Sequence, residues 1–163
     1  MVSPRPRHAV PLPTPVSHTA LRRVLATKIL VTLALWAAPA LLLSPPSFPV
    51  FGLPEPPPGQ LIFIRLLGAA YVALVVGYAL AWRAPARHPG TILVGVVSNG
   101  LATIVIVREG IAGAFADWTT LGAIYIWGSA LVTAGLTAAL IVSGRPVLKR
   151  IADRPRPGAV KVM

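Results

Sequence analysis

The chain has 163 residues, enough for one domain. Apolar residues make up 55% and charged residues 12%, against the about 25% charged residues of an ordinary soluble domain, so a compact water-soluble fold is excluded. The net charge of +11 lies outside the apolar runs, with no aromatic-rich basic groove pattern. Membrane lipid rather than nucleic acid is therefore the expected partner.

Residues 1–20 carry Pro4, Pro6, Pro11, Pro13 and Pro15. Proline has no amide donor and a fixed φ, so this stretch reads as a disordered cytoplasmic tail. The first apolar segment runs over 24–43. Twenty residues at 1.5 Å each reach about 30 Å, the thickness of the hydrocarbon core. Lys28 lies near its start, where a lysine snorkels to the headgroups. Pro39 is expected to kink or fray its last turn. A cleavable signal is the rival reading, because Ala38-Pro39-Ala40 imitates a small-residue cleavage site. Leu41, Leu42 and Leu43 continue the apolar run past it, and the region before it is long, so the segment reads as a retained span.

Residues 44–60 hold seven prolines and predict a stiff, polyproline-like loop with Phe48, Phe51 and Leu53 at the membrane interface. Further spans are predicted over 61–82, 91–107 and 121–142. They are separated by Pro85 and Pro89, then by Gly110 and Gly113, and the last ends at Gly144 and Pro146. The transmembrane domain thus covers 21–144, and 145–163 reads as a basic cytoplasmic tail, with a short interfacial helix around 147–152. The fold class expected is all-α: an integral membrane four-helix bundle.

Charge sets the expected orientation. Of the 15 basic residues, all but Arg65 and Arg108 fall in the N-terminal region, the turn between the second and third spans, or the C-terminal region. Four spans put these three regions on one side. The positive-inside rule makes that side the cytoplasm, with N-in and C-in topology in a cell (inner) membrane. Glu55, Glu109 and Asp117 lie on the other side. Anionic headgroups are the natural partners of the basic segments.

Polar groups in hydrocarbon need a partner or a purpose. Gly95, Asn99 and Thr103 recur every fourth residue on one face of the third span. They read as a packing seam in which glycine permits close approach and Asn99 bonds across to another helix. The rival reading is a substrate or proton site. Ser129, Thr133 and Thr137 form a similar stripe on the fourth span, beside Ala130, Ala134 and Ala138, with hydroxyls expected to bond back to carbonyls one turn earlier. Ala69, Ala73 and Gly77 give the second span a small-residue stripe, and the second, third and fourth spans are expected to pack through these three stripes. Tyrosines and tryptophans near the span ends read as interfacial anchors. Arg65, about one turn inside the second span, is expected to form an outer-side ion pair with Glu109 or Asp117, or else to snorkel to lipid phosphates.

Chemistry is scarce. His8, His18 and His88 fall outside the spans, the four acids are scattered, and there is no cysteine, nucleophile elbow, P-loop or metal-ligand spacing. No catalytic residue, metal or cofactor is expected.

The stretch RLLGAAYVALVVGYALAWRAPARHPGTILVGVVSNGLA (65–102) resembles small bacterial four-helix membrane proteins of unknown function, loosely DoxX-like in size and layout. The likeness rests on Arg65 and Gly68 opening the second span and on Arg83, Pro85, Arg87 and Pro89 in the following turn. It covers about a quarter of the chain and implies no catalytic residues. The expected function is that of a non-enzymatic accessory or scaffold subunit of a larger membrane complex. The alternative is a small transporter or channel component acting as a homo-oligomer. A third possibility, an enzyme acting on bound lipid, has no residue to support it.

Overall fold

The computed structural model describes residues 18–152, and everything described is helix, turn or loop, without a strand. Of the tail expected over 1–20, residues 1–17 lie outside the described residues, as do the basic residues from 153, while Thr19 and Ala20 already belong to the first helix. Among the described residues four helices are long and apolar enough to cross a membrane: α1 over Thr19–Leu42, α2 over Pro58–Arg83, α3 over Pro89–Ile111 and α4 over Thr120–Ala152. At 1.5 Å per residue even the 23-residue α3 reaches about 35 Å, more than the hydrocarbon core requires.

All four helices begin earlier than the hydrophobic windows predict, and the last three also run further. Proline is accepted in a first helical turn, where its missing N–H would be unpaired anyway, and α2 and α3 both start on one. The expected break at Gly144 and Pro146 does not occur: α4 continues to Ala152. Pro146 lies on the exposed face, while Leu140 and Val147 are buried in the core cluster with Leu21 and Leu25 of α1. That packing holds the turn on both sides of the proline.

Within α1 the backbone widens to a π-helix over Thr32–Ala37 before returning to α over Ala38–Leu42. The bulge lies just ahead of Pro39. A proline in a helix interior clashes with the carbonyl four residues back and leaves it without a donor. Here that carbonyl belongs to Leu35, and the Tyr125 hydroxyl of α4 donates to it. The anticipated kink is thus a π-bulge with its freed acceptor satisfied from another helix.

The most extensive contact is between α3 and α4. α1 packs along α2 and also against α4. α2 meets α3 near the turn that joins them, where Tyr78 lies beside Gly95 and reaches Ser98 at 3.5 Å. At this end Leu21, Leu25, Tyr78, Ala81, Ile92 and Val147 form a cluster with almost no exposed surface.

The opposite end is closed by the connections. Residues Pro45–Phe51 form a 3-10 helix rather than a polyproline segment. It ends on Gly52, whose φ of +80° requires a left-handed conformation. Thr119 donates to the Val50 carbonyl at 2.8 Å. Gly122 is required beside it, because a Cβ there would stand 2.1 Å from the Phe51 carbonyl oxygen.

Candidate functional site: a buried lysine at mid-span

Leu21, Leu25, Lys28 and Thr32 follow one another at intervals of four, three and four residues. They share one face of α1, and all four are buried. Lys28 is 6% exposed. It lies about two and a half turns from the start of α1, too deep and too enclosed to snorkel, so the expected headgroup contact is replaced by an internal one. Its ammonium donates to Asn99 Oδ1 and stands 5.1 Å from the centroid of the Tyr78 ring.

Asn99 is at the centre of α3 and is 3% exposed. Gly95, one turn before it, lets Tyr78 and Leu140 approach to within 3.2 Å and 3.1 Å of where a Cβ would be. One turn after it, Thr103 Oγ1 lies 2.9 Å from the Asn99 carbonyl oxygen and 2.8 Å from Thr133 Oγ1. On α4, Thr133 reaches the Ser129 carbonyl at 2.9 Å and Thr137 reaches the Thr133 carbonyl at 2.9 Å. Asn99, Thr103 and Thr133 therefore meet inside the chain, with Lys28 added from α1. Ser129 and Thr137 flank them, and their side chains make no cross-helix bond among those described.

Next to this cluster is a cavity of about 110 Å³ whose wall includes Lys28, Thr32, Trp36, Tyr71, Asn99 and Thr133. Three buried polar atoms have no hydrogen-bond partner among the described residues: Thr32 Oγ1, Asn99 Nδ2 and Ser129 Oγ. The first two belong to residues of the cavity wall. An ammonium has three donors and no acceptor, and an amide nitrogen has two donors. The wall is thus rich in donors. The three acids among the described residues, Glu55, Glu109 and Asp117, belong to the connections or to the last turn of α3. The closest in sequence, Glu109, is about 15 Å from Asn99 along the helix axis.

Arg65 does not form the expected ion pair. Its guanidinium donates to the Ala40 carbonyl at 2.8 Å and the Leu43 carbonyl at 2.6 Å. These acceptors are left over at the end of α1, where a cation also meets the negative end of the helix dipole. Glu109 instead pairs at 3.9 Å with its neighbour Arg108. Gly68, one turn after Arg65, is buried so closely against α1 that a Cβ would stand 2.7 Å from Leu41 Cγ. Arg65 and Gly68 together dock α2 onto the end of α1.

Only the Gly77 end of the small-residue stripe of α2 packs within the chain, with Thr91 Cγ2 3.5 Å from where a Cβ would stand. Ala69 and Ala73 are exposed, and so are Ala134 and Ala138 of α4. Several aromatics also fall outside the anchor pattern. Tyr78 is fully buried, and Trp36 packs on Tyr71 with centroids 5.9 Å apart.

Lys28 and Thr32 are the site members missed by reasoning from the sequence. The signal was their phase: Lys28 continues the line of Leu21 and Leu25, so a buried α1 face must include it. The fold and this cluster define an all-helical, multi-pass membrane protein with a polar centre at mid-span. No protein-family model, curated protein or solved structure matches the chain.

Proposed function

We propose that the protein is a non-enzymatic accessory or scaffold subunit of a larger membrane complex. In this reading its four helices form a bundle in a cell (inner) membrane with both termini in the cytoplasm. The observation that carries it is the exposed Ala69 and Ala73 pair on α2, flanked by the exposed Leu66, Val72 and Val76. Small residues four apart let helix backbones approach closely in a membrane, and none of the described helices covers Ala69 or Ala73. The test is purification in mild detergent followed by native mass spectrometry. A stoichiometric membrane partner is expected with the natural chain. It should be lost from Ala69→Leu/Ala73→Leu while the helical circular dichroism stays unchanged. A natural chain that purifies alone refutes the subunit reading.

The basic residues support the orientation. Because the chain has no cysteine, Ala86→Cys in the turn before α3 and Ala116→Cys before α4 report directly on sidedness. A membrane-impermeant maleimide applied to intact cells should label Ala116→Cys and spare Ala86→Cys. The reverse pattern inverts the topology.

A second reading, a small oligomeric transporter or channel component, draws support from an ionisable side chain at mid-span. Asn99 and Thr133 are buried inside one chain, so a path between copies would not be lined by them. Loss of reconstituted flux in Lys28→Met would favour this reading over the first.

A further inference from the structure

The cavity beside Lys28 adjoins a larger, apolar one. A groove of about 270 Å³ lies between the end of α1, the start of α2 and the connections that close that end of the protein. Its wall includes Pro39, Leu43, Phe51, Ile64, Leu67 and Trp118. Trp36 and Tyr71 belong to the walls of both spaces, so the ring pair is the partition common to the polar cavity and the apolar groove. Together the two reach the lower end of the about 300–1,000 Å³ typical of small-ligand sites.

We propose that these two spaces form one binding site for a single-chain amphiphile bearing a carboxylate, with the carboxylate beside Lys28 and Asn99 and the hydrocarbon chain in the aromatic groove.

Three observations support it. A buried ammonium requires a compensating charge or several acceptors. Asn99 Oδ1 supplies one acceptor, and no acid of the described chain lies near mid-span. Second, Asn99 Nδ2 and Thr32 Oγ1 are buried, belong to the cavity wall and have no partner among the described residues. A carboxylate offers about four lone-pair positions, enough for an ammonium, an amide and a hydroxyl together.

The third observation is access. Toward the chain termini the cavity is backed by the Leu21, Leu25, Tyr78, Ile92 and Leu140 cluster, each at most 1% exposed. No aqueous path leads in through that packing. On the other side the neighbouring space is the apolar groove. A free anion arriving there would have to shed its hydration in an aromatic slot, whereas a carboxylate carried on a hydrocarbon chain arrives from the bilayer with its apolar body already matched to the wall. A phospholipid is disfavoured, since bringing its phosphate to mid-span would draw a bulky headgroup through the same slot.

The experiment uses the full chain in mild detergent with palmitate, methyl palmitate, acetate and chloride as probes. Native mass spectrometry should show one bound palmitate. Palmitate should raise the unfolding temperature at concentrations at least tenfold below those needed for methyl palmitate. The two probes carry the same chain, so their difference isolates the charge. Lys28→Met should abolish that preference for acid over ester. Ile64→Trp, which fills the groove at a distance from Lys28, should abolish palmitate binding in a chain that still folds, and it keeps the test decisive if Lys28→Met does not fold. Equal protection by acid and ester would overturn the proposal. So would unchanged palmitate binding by Ile64→Trp. Protection by acetate or chloride at the concentration effective for palmitate would assign the cavity to a free anion and reject the amphiphile.

Discussion

Removing the partner of a buried charge should cost more than removing the charge itself. Lys28 and Asn99 are both nearly inaccessible, and Asn99 Oδ1 is the hydrogen-bond acceptor of the ammonium. In Asn99→Leu the ammonium stays in the protein interior without that acceptor, a loss that exceeds the about 1–3 kcal/mol of a stranded neutral group because the stranded group is charged. In Lys28→Met the charge leaves with the side chain. What remains is an amide oxygen without its donor, at about 1–3 kcal/mol. Replacing both at once leaves neither defect, and apolar replacement of a buried polar pair is often close to neutral. The double variant should therefore be more stable than Asn99→Leu alone, with a coupling energy above about 2 kcal/mol. An average interhelical polar contact in a membrane couples by only about 0.6 kcal/mol, so the two cases are separable. Reversible unfolding in mixed micelles with increasing dodecyl sulfate, followed by circular dichroism, measures all four corners of the cycle. If Asn99→Leu proves milder than Lys28→Met, or the two effects simply add, the buried-charge reasoning is wrong.

Further outcomes follow from the same contacts. Arg65→Leu leaves the Ala40 and Leu43 carbonyls without their donor and should destabilise by about 2–4 kcal/mol. Glu109→Gln touches only an exposed pair and should stay within about 0.5 kcal/mol, and exchanging Arg65 and Glu109 should bring no rescue in the same unfolding assay. Gly122→Ala places a methyl against the Phe51 carbonyl oxygen, and should lower stability by about 2 kcal/mol or more and speed proteolysis in the 44–57 connection. Gly135→Ala meets open space and should stabilise α4 by about 0.5–1 kcal/mol through helix propensity. Tyr125→Phe removes the donor to Leu35 and should destabilise by about 1–3 kcal/mol; the matching Pro39→Ala change restores a backbone donor at residue 39 and should recover part of that loss.

Number, type and approximate position of the helices were legible in the sequence. A run of some twenty apolar residues in a membrane must satisfy its own backbone, and the helix does so within one segment. The helix ends were less legible, because a hydropathy window stops at charge and proline while the helix tolerates both in its outer turns. Face assignment was legible only where polarity is unambiguous. Asn99, Thr103 and Thr133 carry a burial signal on any apolar helix, and they meet. Ala69 and Ala73 do not, since alanine suits a helix contact and a lipid-facing surface equally, and the fold turned them outward.

By itself, then, the sequence determined an all-helical chain with four segments able to cross a membrane, because backbone hydrogen bonding in hydrocarbon leaves few other solutions. Tertiary structure alone decided the partners of the long polar side chains. Lysine and arginine can reach several ångströms in any direction, and their partners depend on which helix end or neighbouring face comes within that reach. Helix packing brought Asn99 to Lys28 and the end of α1 to Arg65. It also set a donor-rich cavity beside an aromatic groove, a juxtaposition of residues from all four helices that no spacing along the chain encodes.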